Sequence, residues 1–182
     1  MEVSPENVFV YFASDHAGFP LKNSLAEFLR GMGYGVEDMG AHDFSPEDDY
    51  PDFIMPCAQK VAQESGSGAG AKEHSRAEGA RVFGVIIGGS GQGEAMAANR
   101  VKGVRAAVFY GGAHALGAID ENGTAPSDEL DIVRLSRLHN DANILSFGAR
   151  FVSEDLAQKA LLIFLKTQFS DTARHARRIA KY

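Results

Sequence analysis

The chain has 182 residues, of which 45% are hydrophobic, and this is enough for one domain with a sizeable core. Its net charge of −6 argues against a general nucleic-acid surface, so an anionic ligand would need a local group of cations. A single cysteine, Cys57, excludes an intrachain disulfide and fits a reducing, cytoplasmic location. We expect no signal peptide and no membrane span, because no stretch approaches about 18 apolar residues.

Short apolar runs alternate with stretches of helical periodicity along the chain. The runs predict five strands, at residues 8–13, 34–39, 82–87, 104–110 and 143–147. The periodic stretches predict helices at residues 19–32, 52–63, 128–138, 154–166 and 170–181, with a shorter one starting at residue 95. Asp52 is the expected cap of the second helix. This alternation predicts an α/β fold, a three-layer α/β/α Rossmann-like sandwich with a five-stranded parallel sheet of unknown strand order.

Two segments have the composition of loop insertions. Residues 65–80 are rich in Gly, Ala and Ser, and residues near 112–131 contain several turn-forming residues. We therefore expect a single domain over residues 1–182 that carries both segments as surface loops and ends in a basic helix at residues 170–181.

The segment after the third predicted strand organises the chain. Four of its six residues at positions 88–93 are glycines, and Glu94 follows. Glycine has no Cβ, so such a loop brings backbone N–H groups close to a ligand, beside those of the next helix N-terminus. Glu94 stands where a nucleotide-binding loop of the Walker type needs lysine, which excludes ATP or GTP binding here. The glycine spacing is also a weak match to a dinucleotide site.

Backbone donors next to a hydroxyl, Ser90, and a carboxylate, Glu94, suit abstraction of a proton beside a carbonyl group. The donors can hold the oxyanion while the carboxylate takes the proton. A tight strand–helix turn, with Glu94 favoured by the helix dipole, explains the same residues equally well.

Other polar residues follow predicted elements. Asp15 and His16 end the first strand, and Tyr110 ends the fourth, so they should meet the glycine loop at the carboxyl edge of the sheet. The alternative for Asp15 is a helix cap. His139 and Asn140 follow a helix, where a C-cap is equally plausible. The six histidines show no metal-ligand spacing with carboxylates, and Cys57 lies on an apolar helix face, so we predict no metal and no cofactor.

The last helix is basic in an otherwise acidic chain. Arg174 and Arg178 are four residues apart, so both project from one helix face. Two guanidinium groups placed in this way match a phosphate. A solvated terminal helix is the alternative interpretation.

Five motifs occur in a fixed order along the chain: SDHAGF (14–19), DYP (49–51), GGSGQGE with AAN (88–94 and 97–99), SRLHNDAN (136–143) and RHARR (174–178). Together they resemble the type-B ribose-5-phosphate isomerases, a family that also contains galactose-6-phosphate and allose-6-phosphate isomerases. The resemblance implies a metal-free aldose–ketose isomerase that works through an enediolate. It also implies a homodimer, sometimes a tetramer, with active sites between subunits.

The resemblance also implies roles for individual residues. His139, helped by Asp15, would open the sugar ring, and Ser90 would assist proton movement between the two substrate oxygens. The oxyanion would be held by Asn140 and by the backbone around Gly89, Gly91 and Gly93. The phosphate would be bound by His16, Arg174 and Arg178, with Arg150 as a further candidate, and Tyr50 of the second motif would line the substrate site. The two arginines of the last helix would come from the neighbouring subunit.

The position of the base separates two branches of this family. Many members carry a cysteine where this chain has Gly88, whereas a second branch has a glutamate at the position of Glu94. The chain matches the second branch, so we predict that Glu94 moves the proton between C1 and C2. Ribose 5-phosphate is the leading substrate. A six-carbon sugar phosphate, such as allose or galactose 6-phosphate, and a non-catalytic phosphosugar-binding protein are the alternatives.

Overall fold

The computed structural model describes residues 4–65 and 80–182. In these ranges five strands form one parallel sheet in the order β2-β1-β3-β5-β4. The strands are β1 (Val8–Ser14), β2 (Gly35–Asp38), β3 (Arg81–Gly88), β4 (Ala106–Phe109) and β5 (Ile144–Gly148). The α-helices are α1 (Phe19–Gly31), α2 (Pro51–Glu64), α3 (Gln92–Ala98), α4 (Asp131–Leu138), α5 (Glu154–Lys166) and α6 (Ala173–Ile179).

Hydrophobic side chains cover both faces of this sheet. Helices α1 and α5 pack on one face, where Leu25 and Phe164 join Phe12 in a buried cluster. Helices α2 and α3 cover the other face, where Ile54 packs with Tyr11. Tyr11 and Phe12 are adjacent in β1 and point to opposite faces, as the pleat of a strand requires. The predicted three-layer α/β sandwich with a five-stranded parallel sheet is confirmed.

Some predicted element boundaries were wrong. Asp52 does not cap α2, because Tyr50 precedes the first turn and Asp52 lies within that turn. Helix α3 starts at Gln92, three residues before its expected start. Helix α4 starts later than expected, because Asp128 accepts a hydrogen bond from the Leu130 amide (2.8 Å) and so belongs to the preceding loop.

The two predicted loop insertions have different outcomes. The segment at residues 65–80 lies, apart from its ends, outside the described residues. The segment at residues 112–131 forms turns between β4 and α4, where the Asp120 side chain accepts hydrogen bonds from the amides of Asn122 (2.9 Å) and Thr124 (3.0 Å). Across residues 4–65 and 80–182, no helix is long and apolar enough to cross a membrane.

The carboxyl end of β1 is fixed by a buried lysine. Lys22 of α1 has no exposed side-chain surface, and its Nζ donates to both carboxylate oxygens of Asp38 (2.6 and 2.5 Å) and to the Ala41 carbonyl (2.6 Å). The Ala41 amide in turn donates to the carbonyl of Ser14, the last residue of β1 (2.8 Å). These bonds set the position from which the chain continues into Asp15 and His16.

Candidate active site

The glycine loop between β3 and α3 is held to β5 and to the turn that follows it. The bonds run from Ala149 N to Gly88 O (2.8 Å), from Arg150 N to Gly89 O (3.1 Å) and from Ser146 Oγ to Gly91 O (2.7 Å). The N–H and C=O of a trans peptide point in opposite directions, so the amides of Gly89 and Ser90 are directed away from β5. Since β3 lies between β5 and β1, these donors face the end of β1.

Two glycines in this loop are needed for its shape. Gly91 has a φ of +74°, and a Cβ there would lie 2.9 Å from the Phe147 carbonyl carbon. A Cβ on Gly93 would lie 2.9 Å from the Tyr50 hydroxyl, so the tyrosine ring packs directly against the loop backbone. Tyr50 therefore forms part of the wall beside the loop, and its contact with substrate stays a prediction.

The Glu94 side chain folds back over Gly88. Glu94 is only 5% exposed, and a Cβ built on Gly88 would lie 1.7 Å from its Oε1. The carboxylate thus occupies the space in which a side chain at position 88 would begin. Burial raises the pKa of Glu94 above its ordinary value, and the negative charge of Asp15 raises it further, against the opposing effect of a hydrogen bond from its own amide. The Glu94 carboxylate therefore lies beside the glycine loop, and its role as the base stays a prediction.

Asp15 combines a structural contact in the turn before α1 with a position near Glu94. Its Oδ1 accepts hydrogen bonds from the amides of Ala17 (3.0 Å) and Gly18 (3.1 Å), which shapes the turn into α1. The carboxylate is 7% exposed and close enough to Glu94 to act on its pKa. Asp15 does not cap α1, because Gly18 is the N-cap and the hydrogen bonds of Asp15 lie in the preceding turn. Its part in a site stays a prediction.

His16 lies on the same edge of the sheet and is bound by Asp48. The Oδ1 of Asp48 is 2.6 Å from the His16 Nδ1 and also accepts a hydrogen bond from the His16 amide (3.1 Å). The hydrogen bond to Asp48 raises the pKa of His16, with a smaller contribution in the same direction from Asp15. Arg150 lies nearby and lowers it, and its guanidinium carbon is 3.1 Å from the Cβ position of Gly89.

The structure therefore brings together one group of predicted residues, the carboxyl-edge group. Its members are Asp15, His16, Tyr50, Gly89, Ser90, Gly91, Gly93, Glu94 and Arg150. Tyr110 reaches the same edge, but it is 53% exposed and its ring contacts Phe151 (6.4 Å between centroids). It contributes an exposed aromatic pair, and no polar contact of its side chain is seen in the described residues.

A second group, the amino-edge group, lies at the opposite edge of the sheet. It contains His139, Asn140, Arg174 and Arg178. His139 and Asn140 precede β5, whereas the glycine loop contacts the other end of this strand, where Gly88 pairs with Gly148. The five residues of β5 separate the two edges by about 16 Å at ~3.3 Å per residue. His139 and Glu94 of one chain are therefore too far apart to act on one small substrate.

The His139 loop is held in place by partly buried ion pairs. Arg137 is 4% exposed and donates to Asp141 Oδ1 (2.8 Å) and to the Ala142 carbonyl (2.5 Å), while Arg105 donates to Asp141 Oδ2 (2.8 Å). These contacts explain several polar residues of the fourth motif as structural. They present His139 and Asn140 at the end of α4.

His139 contacts His175 of α6. The ring centroids are 4.2 Å apart in an edge-to-face arrangement, and His175 is 8% exposed. Burial lowers the pKa of His139, and the neighbouring His175 lowers it further, so the ring is neutral at neutral pH. A neutral imidazole can both accept and donate a proton, which is what ring opening of a sugar requires.

Both arginines of α6 act on the carboxylate of Glu121. Glu121, in the loop before α4, forms an ion pair with Arg174, and both side chains are nearly half exposed. The hydrogen bond from Arg174 lowers the pKa of Glu121, and the charge of Arg178 contributes in the same direction. Arg174 and Arg178 therefore both lie close enough to act on one negative charge.

Sequence reasoning missed four residues that contact members of these two groups. Asp48 is one of several acidic residues in residues 43–49, and no pattern distinguishes it from the others. Ser146 lies inside an apolar strand, and Glu121 lies in a turn-rich segment. His175 is the one with a signal, since it lies in the fifth motif between the predicted arginines.

One cluster among the described residues could bind a cation. It consists of Asp15, His16 and Asp48, whose possible ligand atoms lie within 4.8 Å of one another. Hydrogen bonds already explain why these side chains lie together. Asp15 accepts hydrogen bonds from two backbone amides, and Asp48 is hydrogen-bonded to His16. The absence of a metal and of a cofactor stays a prediction.

Comparisons with known proteins agree with the motifs. The profile of a protein family described as Ribose/Galactose Isomerase matches residues 10–125 and 123–182. A probable ribose-5-phosphate isomerase B of Mycoplasma genitalium is 35% identical over 172 residues, which cover 94% of this chain and 91% of that protein. The chain belongs to the type-B ribose-5-phosphate isomerase family. The resemblance identified from the five motifs is thereby confirmed.

Solved structures of the type-B family share the fold of this chain. Ribose 5-phosphate isomerase B of Anaplasma phagocytophilum superposes with a TM-score of 0.74 at 32% identity, covering 100% of this chain and 98% of that one. The enzyme of Mycoplasma genitalium, solved with bound ribulose-5-phosphate, has a TM-score of 0.74 at 33% identity, with coverage of 96% and 93%. The structural likeness therefore extends over almost the whole chain.

Proposed function

We propose that the chain is an aldose–ketose isomerase that interconverts ribose 5-phosphate and ribulose 5-phosphate through an enediolate, with Glu94 as the base. The observation that carries this proposal is the buried carboxylate over Gly88, beside backbone donors that face the end of β1. The names of the type-B relatives support the substrate. A cytoplasmic location is part of the proposal.

The arrangement suits the following proton transfers. The ionised Glu94 takes the proton from C2 of the open-chain aldose, and the electron pair moves to the C1 oxygen to give the enediolate. The amides of Gly89 and Ser90, with Asn140, hold the negative oxygen. A proton passes from the C2 oxygen to the C1 oxygen with the help of Ser90, and Glu94 returns its proton to C1. A raised pKa makes the Glu94 carboxylate a stronger base for the first step.

The substrate needs both groups of residues, so the active site is shared between two chains. The carboxyl-edge group of one protomer supplies the base and the backbone oxyanion donors. The amino-edge group of the other supplies His139 for ring opening and Asn140 for the oxyanion. Its Arg174 and Arg178 bind the phosphate, together with His16 and Arg150 from the first protomer. Exposed apolar side chains at the carboxyl edge, Met96 (67%) and Phe151 (63%), support a contact surface there.

The test of the proposed function is a direct assay of the purified chain. We expect saturable formation of ribulose 5-phosphate from ribose 5-phosphate, unchanged after treatment with a chelator, and slower turnover of allose 6-phosphate and galactose 6-phosphate. Faster turnover of a six-carbon substrate would show that ribose 5-phosphate is not the preferred substrate. Binding of all three sugar phosphates without turnover would show that the chain is a phosphosugar-binding protein and not an enzyme.

Mixing two inactive variants tests the shared site. We expect Glu94→Gln and His139→Ala to be inactive alone. After the subunits are exchanged, half of the dimers would be mixed, and each would hold one intact site, so activity should return to about a quarter of the wild-type value. The measurement is turnover before and after exchange by mild denaturation, with each variant exchanged against itself as the control. If activity does not return although mixed dimers have formed, both residues act within one chain.

A further inference from the structure

Asp48 is placed to control the protonation and the orientation of His16. It lies in the loop between β2 and α2, and its side chain is 8% exposed. A single oxygen, Oδ1, contacts both the backbone N–H and the ring Nδ1 of His16. Its second oxygen is buried and has no hydrogen-bond partner in residues 4–65 and 80–182. The ion pair with His16 is therefore the contact that compensates its charge in this part of the chain.

This contact defines the tautomer of the ring. An ionised carboxylate can only accept, so Nδ1 of His16 must carry a proton. The Nε2 atom is then left for a ligand, and when it is also protonated the ring is a cation with one N–H donor free. Phe44 contacts the ring edge-to-face (6.3 Å between centroids, 89° between planes) and further limits its rotation.

We propose that Asp48 is a positioning residue that holds His16 as an imidazolium with its Nε2–H available to the substrate phosphate. This inference rests on the proposed function, in which His16 binds that phosphate. A dianionic phosphate gains more from a charged donor than from a neutral one, because the positive ring adds the attraction of opposite charges to the hydrogen bond. Asp48 thereby supports binding without touching the substrate.

The charged groups around His16 give the direction of the effect. Asp48 and Asp15 favour the protonated ring, whereas loss of hydration and the charge of Arg150 oppose it, and the net result is a raised pKa of His16. The cation therefore persists to a higher pH than in an ordinary histidine and is lost as the pH rises through the raised value. Without the charge of Asp48, the loss should occur at a lower pH.

The test is Asp48→Asn in the full-length chain, which removes the charge and keeps an oxygen that can accept from the His16 amide. At neutral pH we expect the KM for ribose 5-phosphate and the inhibition constant of inorganic phosphate to rise about tenfold, with kcat changed by less than about twofold. The basic limb of the kcat/KM profile should move to lower pH. Glu47→Gln removes an exposed charge from the same loop and should change none of these values by more than about twofold.

A second measurement separates this role from a structural one. The ¹⁵N resonances of the His16 ring, assigned by their absence in His16→Ala, should titrate at lower pH in Asp48→Asn than in the wild type. In a His16→Ala background, adding Asp48→Asn should not weaken phosphate inhibition further. An unchanged His16 titration, or an equal loss of phosphate affinity in both backgrounds, would overturn the proposal. Failure of the proposed function would instead appear as a wild-type chain that does not isomerise ribose 5-phosphate.

Discussion

Replacing Glu94 by glutamine is expected to lower kcat for ribose 5-phosphate by at least ~10²–10⁴-fold, the usual contribution of a general base. Glutamine has nearly the same shape, but its amide cannot take the proton from C2. The phosphate is bound by other residues, so the inhibition constant of inorganic phosphate should stay close to the wild-type value. Turnover and phosphate inhibition, measured on the same preparation, test both parts. Glu27→Gln, an exposed substitution on α1, is the matched control.

The same variant has an expected effect on stability with a definite sign. Burial and the nearby Asp15 raise the pKa of Glu94 from its ordinary value of 4.5, so the ionised form is disfavoured in the folded state. The wild-type chain therefore loses stability as the pH rises from 4.5 through the raised pKa, and Glu94→Gln does not. We expect the variant to have the higher free energy of unfolding at neutral pH and a vanishing advantage in acid. Near-normal turnover, or a lower stability at neutral pH, would contradict the assignment of Glu94 as a buried base.

The fold could be predicted because its signal is local. Buried strands such as β3 appear as short apolar runs, and Leu25 and Phe28 of α1 recur at helical spacing. Strand order could not be predicted, because it depends on which crossover packs against which face. The ends of α2 and α4 were missed for a related reason, since the local hydrogen bonds of Asp128 and the turn at Tyr50 compete with helix propensity.

The candidate site was predictable where function requires an unusual local sequence. Four glycines before Glu94 are a conspicuous pattern, whereas Asp48 is one acidic residue among several and becomes distinct only through its distance to His16. The sequence also could not show that His139 lies across the sheet from Glu94. That separation follows from the course of β5, and without the implied dimer it would argue against a common site.

The Glu94 carboxylate fills the space in which a side chain at position 88 would begin, so even a small substitution of Gly88 should be damaging. Gly88→Ala adds one methyl group, and its Cβ would lie 1.7 Å from Oε1 and 2.1 Å from Cδ of Glu94. The new Cβ and the Glu94 carboxylate cannot occupy the same space, so the carboxylate must leave its position over the loop. Gly88 does not have a left-handed φ, so the backbone itself tolerates alanine. We expect kcat to fall by at least about 10²-fold, since catalysis depends on placement within roughly an ångström.

A pair of double variants distinguishes displacement from general damage. Gly88→Cys alone should be as impaired as Gly88→Ala, because the carboxylate and the thiol compete for one space. Gly88→Cys combined with Glu94→Ala removes that collision and leaves a thiol as the base, so it should be more active than Gly88→Ala combined with Glu94→Ala. Gly31→Ala, where a Cβ meets nothing within 4 Å, is the control for adding a methyl group to a glycine. If Gly88→Ala keeps near wild-type turnover, the Glu94 carboxylate does not act from the space over Gly88, and the base must be sought elsewhere in the carboxyl-edge group.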